Sequence, residues 1–147
     1  MKIVEITENK KDHLSLLLLA DEQEDMIDRY LERGRMYVLE DGGVKSECVV
    51  TDEGDGVLEI KSLATVPEYQ GRGYGKALIE FILAEFKDRY AVLQAGTGDS
   101  PRTIPFYETC GFVRSRVLPG FFTDNYDHPI YEDGVRLRDM VILRRPF

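Results

Sequence analysis

The sequence predicts an α+β fold, a mixed and mostly antiparallel sheet with one parallel strand pair at its centre and helices packed against it. Three observations point there. The stretches 36–39, 44–51 and 57–66 are apolar-rich and separated by short glycine turns, the pattern of antiparallel neighbours. The last of them passes through a glycine-rich turn into an amphipathic helix. The apolar run 91–95 follows that helix, and a strand–helix–strand crossover of this kind gives a parallel pair.

Taken in order, residues 2–7 alternate around Ile3, Val4 and Ile6 and form the first strand. After Glu8, the residues Leu14, Leu17 and Leu18 fall at helical spacing. Met26, Ile27, Tyr30 and Leu31 make a second amphipathic piece that stops at Gly34. The other face of these helices carries Asp21, Glu22, Glu24, Asp25, Asp28 and Glu32 against Arg29 and Arg33. It reads first as a solvated face and second as an acidic wall that attracts an amine. Asp41-Gly42-Gly43 is a hairpin turn, and a second turn over 52–56 leads into the central strand. The following helix places Leu78, Phe81, Ile82 and Phe86 on one stripe and runs to about Arg89. Asp99 or Ser100 caps a short helix near Pro101, and 112–117 and 140–144 are the last strands. Between those strands, residues 118–139 are long for a connection in so small a chain, and such loops carry function disproportionately. This one holds Phe121, Phe122, Tyr126 and Tyr131 with the acids Asp124, Asp127, Glu132, Asp133 and Asp139. No repeat, low-complexity tract or linker divides 1–147, so a single domain is expected.

With 27 acidic against 19 basic residues the net charge is −8, which argues against a nucleic-acid surface and favours cationic partners. Cys48 and Cys110 have neither metal-ligand spacing nor the density of a disulfide framework. They read as reduced core thiols of a cytoplasmic protein. The apolar run 14–20 is too short to span a bilayer, so no membrane partner is expected.

The chemistry concentrates where the central strand ends. Pro67 stops the strand, Gly71, Gly73 and Gly75 follow at alternate positions, and the helix begins near Lys76. Strand, glycine turn and helix N-terminus together present backbone N–H groups to an anion, and Arg72 and Lys76 add mobile charge. The spacing excludes two familiar cradles. A dinucleotide fingerprint needs a glycine at 76, and a nucleotide P-loop needs Gly at 70 and Ser or Thr at 77, where Lys76, Gln70 and Ala77 stand.

What the residues do match is Gln/Arg-x-x-Gly-x-Gly, as Gln70-Gly71-Arg72-Gly73-Tyr74-Gly75. This resembles the acetyl-CoA motif of the GNAT N-acetyltransferase superfamily. The segment from Thr103 through Phe106-Tyr107 to Gly111-Phe112 is similar to the family's second signature, with Ser100 where members usually carry Asn. The resemblance implies that the parallel strands splay apart around the pantetheine arm. It assigns the backbone of Leu63, Ala64 and Thr65 to pantetheine, the residues Gln70, Gly71, Arg72, Gly73, Tyr74, Gly75 and Lys76 to the pyrophosphate, and Ser100 to a further cofactor contact. It also implies acetyl-CoA as co-substrate without a metal, direct attack of an amine on the thioester, and pairing as a homodimer, common among members.

Within that reading Tyr107 stands where members carry a tyrosine facing the sulfur and is the candidate acid. Glu59, early in the central strand, is the candidate base. His128, beside Pro129, reads as a turn residue. Asp124, Tyr126 and Asp127 are the candidate substrate contacts, which leads to the expectation of a small basic acceptor, a lysine side chain or an N-terminal amine. The alternative is a CoA-binding sensor that keeps the cradle without catalysis.

Overall fold

The computed structural model describes residues 1–147. Seven strands form one sheet: β1 (Lys2–Ile6), β2 (Arg35–Glu40), β3 (Val44–Asp52), β4 (Val57–Thr65), β5 (Val92–Gly98), β6 (Val113–Leu118) and β9 (Met140–Pro146). Their spatial order is β1-β2-β3-β4-β5-β9-β6. Every neighbouring pair is antiparallel except β4 with β5. A small hairpin, β7 (Tyr131–Glu132) with β8 (Val135–Arg136), stands apart.

Two irregularities in β4 shape everything near the site. Val49 pairs with Ser62 and Val50 with Ile60, so Lys61 is the extra residue of a bulge, a device that bends a strand and re-aims its side chains. On the other edge β4 pairs with β5 only from Val57↔Val92 to Ile60↔Ala95, although β4 continues to Thr65 and β5 to Gly98. The two parallel strands therefore part beyond Ile60 and Ala95. Their facing edges are free there.

Each face of the sheet has its own apolar layer. Leu78, Ile79, Ile82 and Phe86 of α3 (Tyr74–Phe86) pack on Leu39, Val50, Leu58, Ile60 and Leu93. On the opposite face Leu17 of α1 (Leu14–Ala20) and Ile27 of α2 (Glu24–Asp28), with Tyr30 and Leu31, cover Met36, Val38 and Val49. Both cysteines are free and buried. No helix is long and apolar enough to cross a membrane.

Helix bounds differ from the sequence reading in three places. The second amphipathic piece is α-helical only over α2, and the chain to Gly34 continues in turns that end with Lys10 Nζ donating to Leu31 O and Gly34 O. The α4 helix (Thr103–Thr109) starts after Arg102, and no side chain caps it; Ser100 Oγ accepts from the Arg102 N–H before the helix begins. The stretch 118–139 contains α5 (Phe121–Asn125) as well as β7 and β8. Phe122, Ile130 and Leu137 give it a small core of its own.

Candidate active site

The glycine turn forms as expected, but its glycines are there for different reasons. Gly71 and Gly73 have φ of +80° and +85°, a left-handed backbone that side chains disfavour. Gly75 has no such constraint; a Cβ there would sit 3.2 Å from Phe106 Cζ, so it is a packing glycine between α3 and α4. The amides of residues 71–76 donate to no acceptor in the protein, and they converge at the N-terminus of a 13-residue helix. That is the cradle a pyrophosphate needs. Tyr74 fixes the helix start, its hydroxyl donating to Asp41 Oδ2 at 2.6 Å. Gln70 ties the turn down from both ends of its amide, donating to Thr65 O at 3.4 Å and accepting from Arg102 Nη2 at 2.8 Å. Arg72 lies over the Tyr69 ring, 5.0 Å from its centre.

From this cradle a cleft of about 840 Å³ runs down between the parted strands. Leu63, Ala64 and Thr65 line it from β4, and Gly96, Thr97 and Gly98 from β5. Unpaired strand edges on either side suit an extended, amide-bearing arm. Tyr107 stands in the wall, flanked at 5.3 Å by the rings of Phe106 and Phe112. Burial pushes its phenol well above the usual range, so it stays protonated and able to donate. Ser100 is buried but lies outside the lining of this cleft, where the resemblance assigned it a cofactor contact.

A second cavity of about 730 Å³ opens on the other side of the parted strands. Its floor is one face of four strands, with Glu59, Gln94 and Arg144 in a row across three of them and Ile142 opposite Arg116 two residues along; its cover is Met26, Tyr30, Phe121 and Tyr126. The two cavities share six residues: Asp21, Ile60, Lys61, Gly96, Tyr126 and Met140. Gly96 belongs there because a Cβ would come within 2.7 Å of Met140 Sδ.

Glu59 lines only the second cavity, and both its oxygens are engaged, one by Gln94 Nε2 and the other by Lys61 Nζ at 2.6 Å. Tyr126 lines both cavities and donates to Asp21 Oδ1 at 2.8 Å. Asp124 and Asp127, the other two expected substrate contacts, line neither cavity. Asp127 instead bonds His128 Nδ1, and His128 Nε2 reaches Glu22 at 3.0 Å. With the Asp127 N–H donating to Gln23 Oε1, these contacts clasp the long loop to the α1–α2 connection.

The sequence reading missed Asp21 as an individual. It stands at the junction, and burial raises its carboxyl to about 6 despite the Tyr126 hydrogen bond. The reading also missed Glu47, fully buried on β3, which accepts from Ser62 Oγ at 2.6 Å and is raised to about 8 by burial. In the sequence both are acids among other polar residues.

A model of the acetyltransferase (GNAT) domain matches residues 32–114, a span that runs from β2 through the cradle and α4 into β6. The chain belongs to the GNAT acetyltransferase family. It is 35% identical to an uncharacterised N-acetyltransferase, YvbK, of Bacillus subtilis over 95% of this chain and 93% of that protein. A GNAT family acetyltransferase from Elizabethkingia anophelis, solved with acetyl-CoA bound, superposes with a TM-score of 0.93 at 30% identity, covering 99% of this chain and 97% of that one. An IAA acetyltransferase from Bacillus cereus superposes with a TM-score of 0.90 at 32% identity, covering 99% and 100%. The cradle and the parted strands are thus those of an acyltransferase fold, and the protein is a GNAT acyltransferase.

Proposed function

We propose that this GNAT protein transfers an acetyl group from acetyl-CoA to the primary amine of a small-molecule or peptide acceptor by direct attack on the thioester. One observation carries this reading: the cleft below the cradle and the second cavity meet at a single junction, so two substrates entering from opposite sides face each other there. A sensor module would need the cleft but not the continuation. Leu63, Ala64 and Thr65 hold the pantetheine arm by backbone, and Gln70 through Lys76 form the pyrophosphate site.

When bound, acetyl-CoA supplies the acyl group as a thioester. Asp21 takes the proton that an incoming ammonium must lose, because it lies at the junction and is raised to about 6 by burial. The amine nitrogen then bonds to the carbonyl carbon as the C–S bond breaks, and Tyr107 donates to the departing sulfur. Glu59, already held by Gln94 and Lys61, orders the floor of the acceptor cavity. Asp124 and Asp127 do not line this cavity, so the reading of acceptor charge starts from the residues that do.

The test is acetyl-CoA turnover, followed by thiol release and by mass spectrometry of the product, against a panel of primary amines. Transfer to an amine supports the reading. Tight acetyl-CoA binding without transfer to any amine would decide for the sensor.

A further inference from the structure

The acceptor cavity is polarised along its length. At its inner end, where it joins the cofactor cleft, stands the Asp21 carboxylate; Met140 marks the same point on β9. Arg116, opposite Ile142 in the β6–β9 register, lies two residues further along, and Arg144 four, so the two sit about 7 and 13 Å from the junction at about 3.3 Å per residue.

These two guanidiniums are not occupied by the protein's own acids. Arg144 donates through Nε to Gln94 Oε1 at 2.8 Å, which fixes its plane and leaves its two terminal nitrogens for another partner. Arg116 makes neither a salt bridge nor a side-chain hydrogen bond. Other cations of the cavity behave differently: Arg33 pairs with Glu53 at 3.0 Å and Lys61 with Glu59 at 2.6 Å. Arg29 reaches only Asn125 Oδ1, at 3.3 Å. Arg29 lies by Asp21, whose carboxyl its charge lowers, and so belongs to the inner end; against Arg116 and Arg144 stands one unengaged carboxylate, Asp55, at the turn after β3. In a chain of net charge −8, an outer end with this excess of positive charge stands out from its surroundings. Planar, fixed guanidiniums match a carboxylate by two parallel hydrogen bonds. Tyr30, Phe121, Leu118 and Ile142 also line this cavity and offer apolar surface for a hydrocarbon body.

We infer that the acceptor is an amine that also carries a carboxylate or similar planar anion several ångströms from its nitrogen, with the anion held by Arg116 and Arg144 and the amine delivered to Asp21. This rests on the transferase reading above and reverses the sign of acceptor expected from net charge.

The experiment compares three amines of one length with acetyl-CoA as donor: ε-aminocaproate, its primary amide, and hexamethylenediamine. The acid is expected to have the highest kcat/KM, by about tenfold or more over the amide. Arg116→Gln with Arg144→Gln should bring the acid down to the amide's level through KM. An amide or diamine turned over as well as the acid overturns the inference while leaving the transferase reading intact. So does an equal fall for acid and amide in the double variant, which would mark a general loss of structure. Transfer to none of the three overturns it too, and turnover of the wider primary-amine panel with the same samples shows whether the transferase reading falls with it.

Discussion

Gln94 Nε2 donates to Glu59 Oε1 across the parallel pair, one rung before β4 and β5 part. That bond sets the amide's orientation, because its oxygen then faces and accepts from Arg144 Nε at 2.8 Å. One side chain thus positions a carboxylate and a guanidinium on the floor of the second cavity. Gln94→Leu removes both bonds and is expected to cost about 1–3 kcal/mol of stability, since buried polar groups are left without partners. It should also raise the acceptor KM while acetyl-CoA binding, measured by calorimetry, stays at the parent value. Weakened acetyl-CoA binding would mean that Gln94 supports the cofactor cleft instead.

The glycine turn separates into two testable kinds of position. Gly73→Val forces a β-branched residue into a φ of +85° and should distort the amides that form the cradle, weakening acetyl-CoA binding directly. Gly75→Leu drives into Phe106 and should shift α4 and Tyr107, lowering kcat as well as affinity. Unchanged calorimetric binding in the Gly73 variant would remove the turn from the pyrophosphate site.

How much of this was readable beforehand depends on the range of the signal. The cradle was legible because Pro67, alternate glycines and a helical stripe are local and sequential, and the parallel crossover follows from chain geometry. The bulge at Lys61 was not, since it is a register shift between two strands and leaves no mark in the alternation of either. Asp21 is one acid among six on a stretch that reads as solvated; only the fold brings Tyr126, 105 residues away, against it. Asp124 and Asp127 lie outside both cavity linings for the converse reason, since composition says that a loop is acidic but not which way its carboxylates face. The two-residue strands β7 and β8 and the five-residue α5 are too short for periodicity to register.

Glu47 gives a prediction about stability. Its Oε1 accepts from Ser62 and its Oε2 has no partner, so burial dominates and the carboxyl is raised to about 8. Between roughly pH 4.5 and 8 the unfolded chain ionises this group while the folded protein keeps its proton. The unfolded state then binds fewer protons, so this contribution to stability is full below the unfolded pKa and declines as pH rises, by about 1.4 kcal/mol per pH unit, levelling off above the folded value. Glu47→Gln should remove that slope, seen as the difference between denaturation curves of the two proteins from pH 5 to 9. Parallel pH profiles would show that Glu47 is ionised in the folded state.

Tyr107 should matter to the transition state more than to binding. Tyr107→Phe keeps the ring contacts with Phe106 and Phe112 and removes one donor. A donor aimed at developing charge is worth about 2–4 kcal/mol, so kcat is expected to fall about 30- to 1000-fold with little change in acetyl-CoA affinity. Full activity in the variant would make the residue a packing element.

The last prediction distinguishes the two carboxylates of the acceptor side by pH. Burial raises Asp21 to about 6, so its base form grows as pH rises through that value and is complete above it. The parent's kcat/KM for the acceptor should therefore rise with one proton's slope below about pH 6 and level off above, apart from any titration of the amine itself. Asp21→Asn should flatten that limb and lower the plateau by about 10²-fold or more, the usual worth of a positioned base. Glu59→Gln acts differently: Gln94 and Lys61 lose the charge they hold, the floor is disturbed, and the rate falls while the limb near pH 6 remains. Tyr126→Phe adds a control, since loss of its hydrogen bond to Asp21 removes an interaction that lowers the carboxyl's pKa and should move the limb to higher pH. A limb that survives in Asp21→Asn and vanishes in Glu59→Gln would transfer the base to Glu59, the residue that strand position alone had suggested.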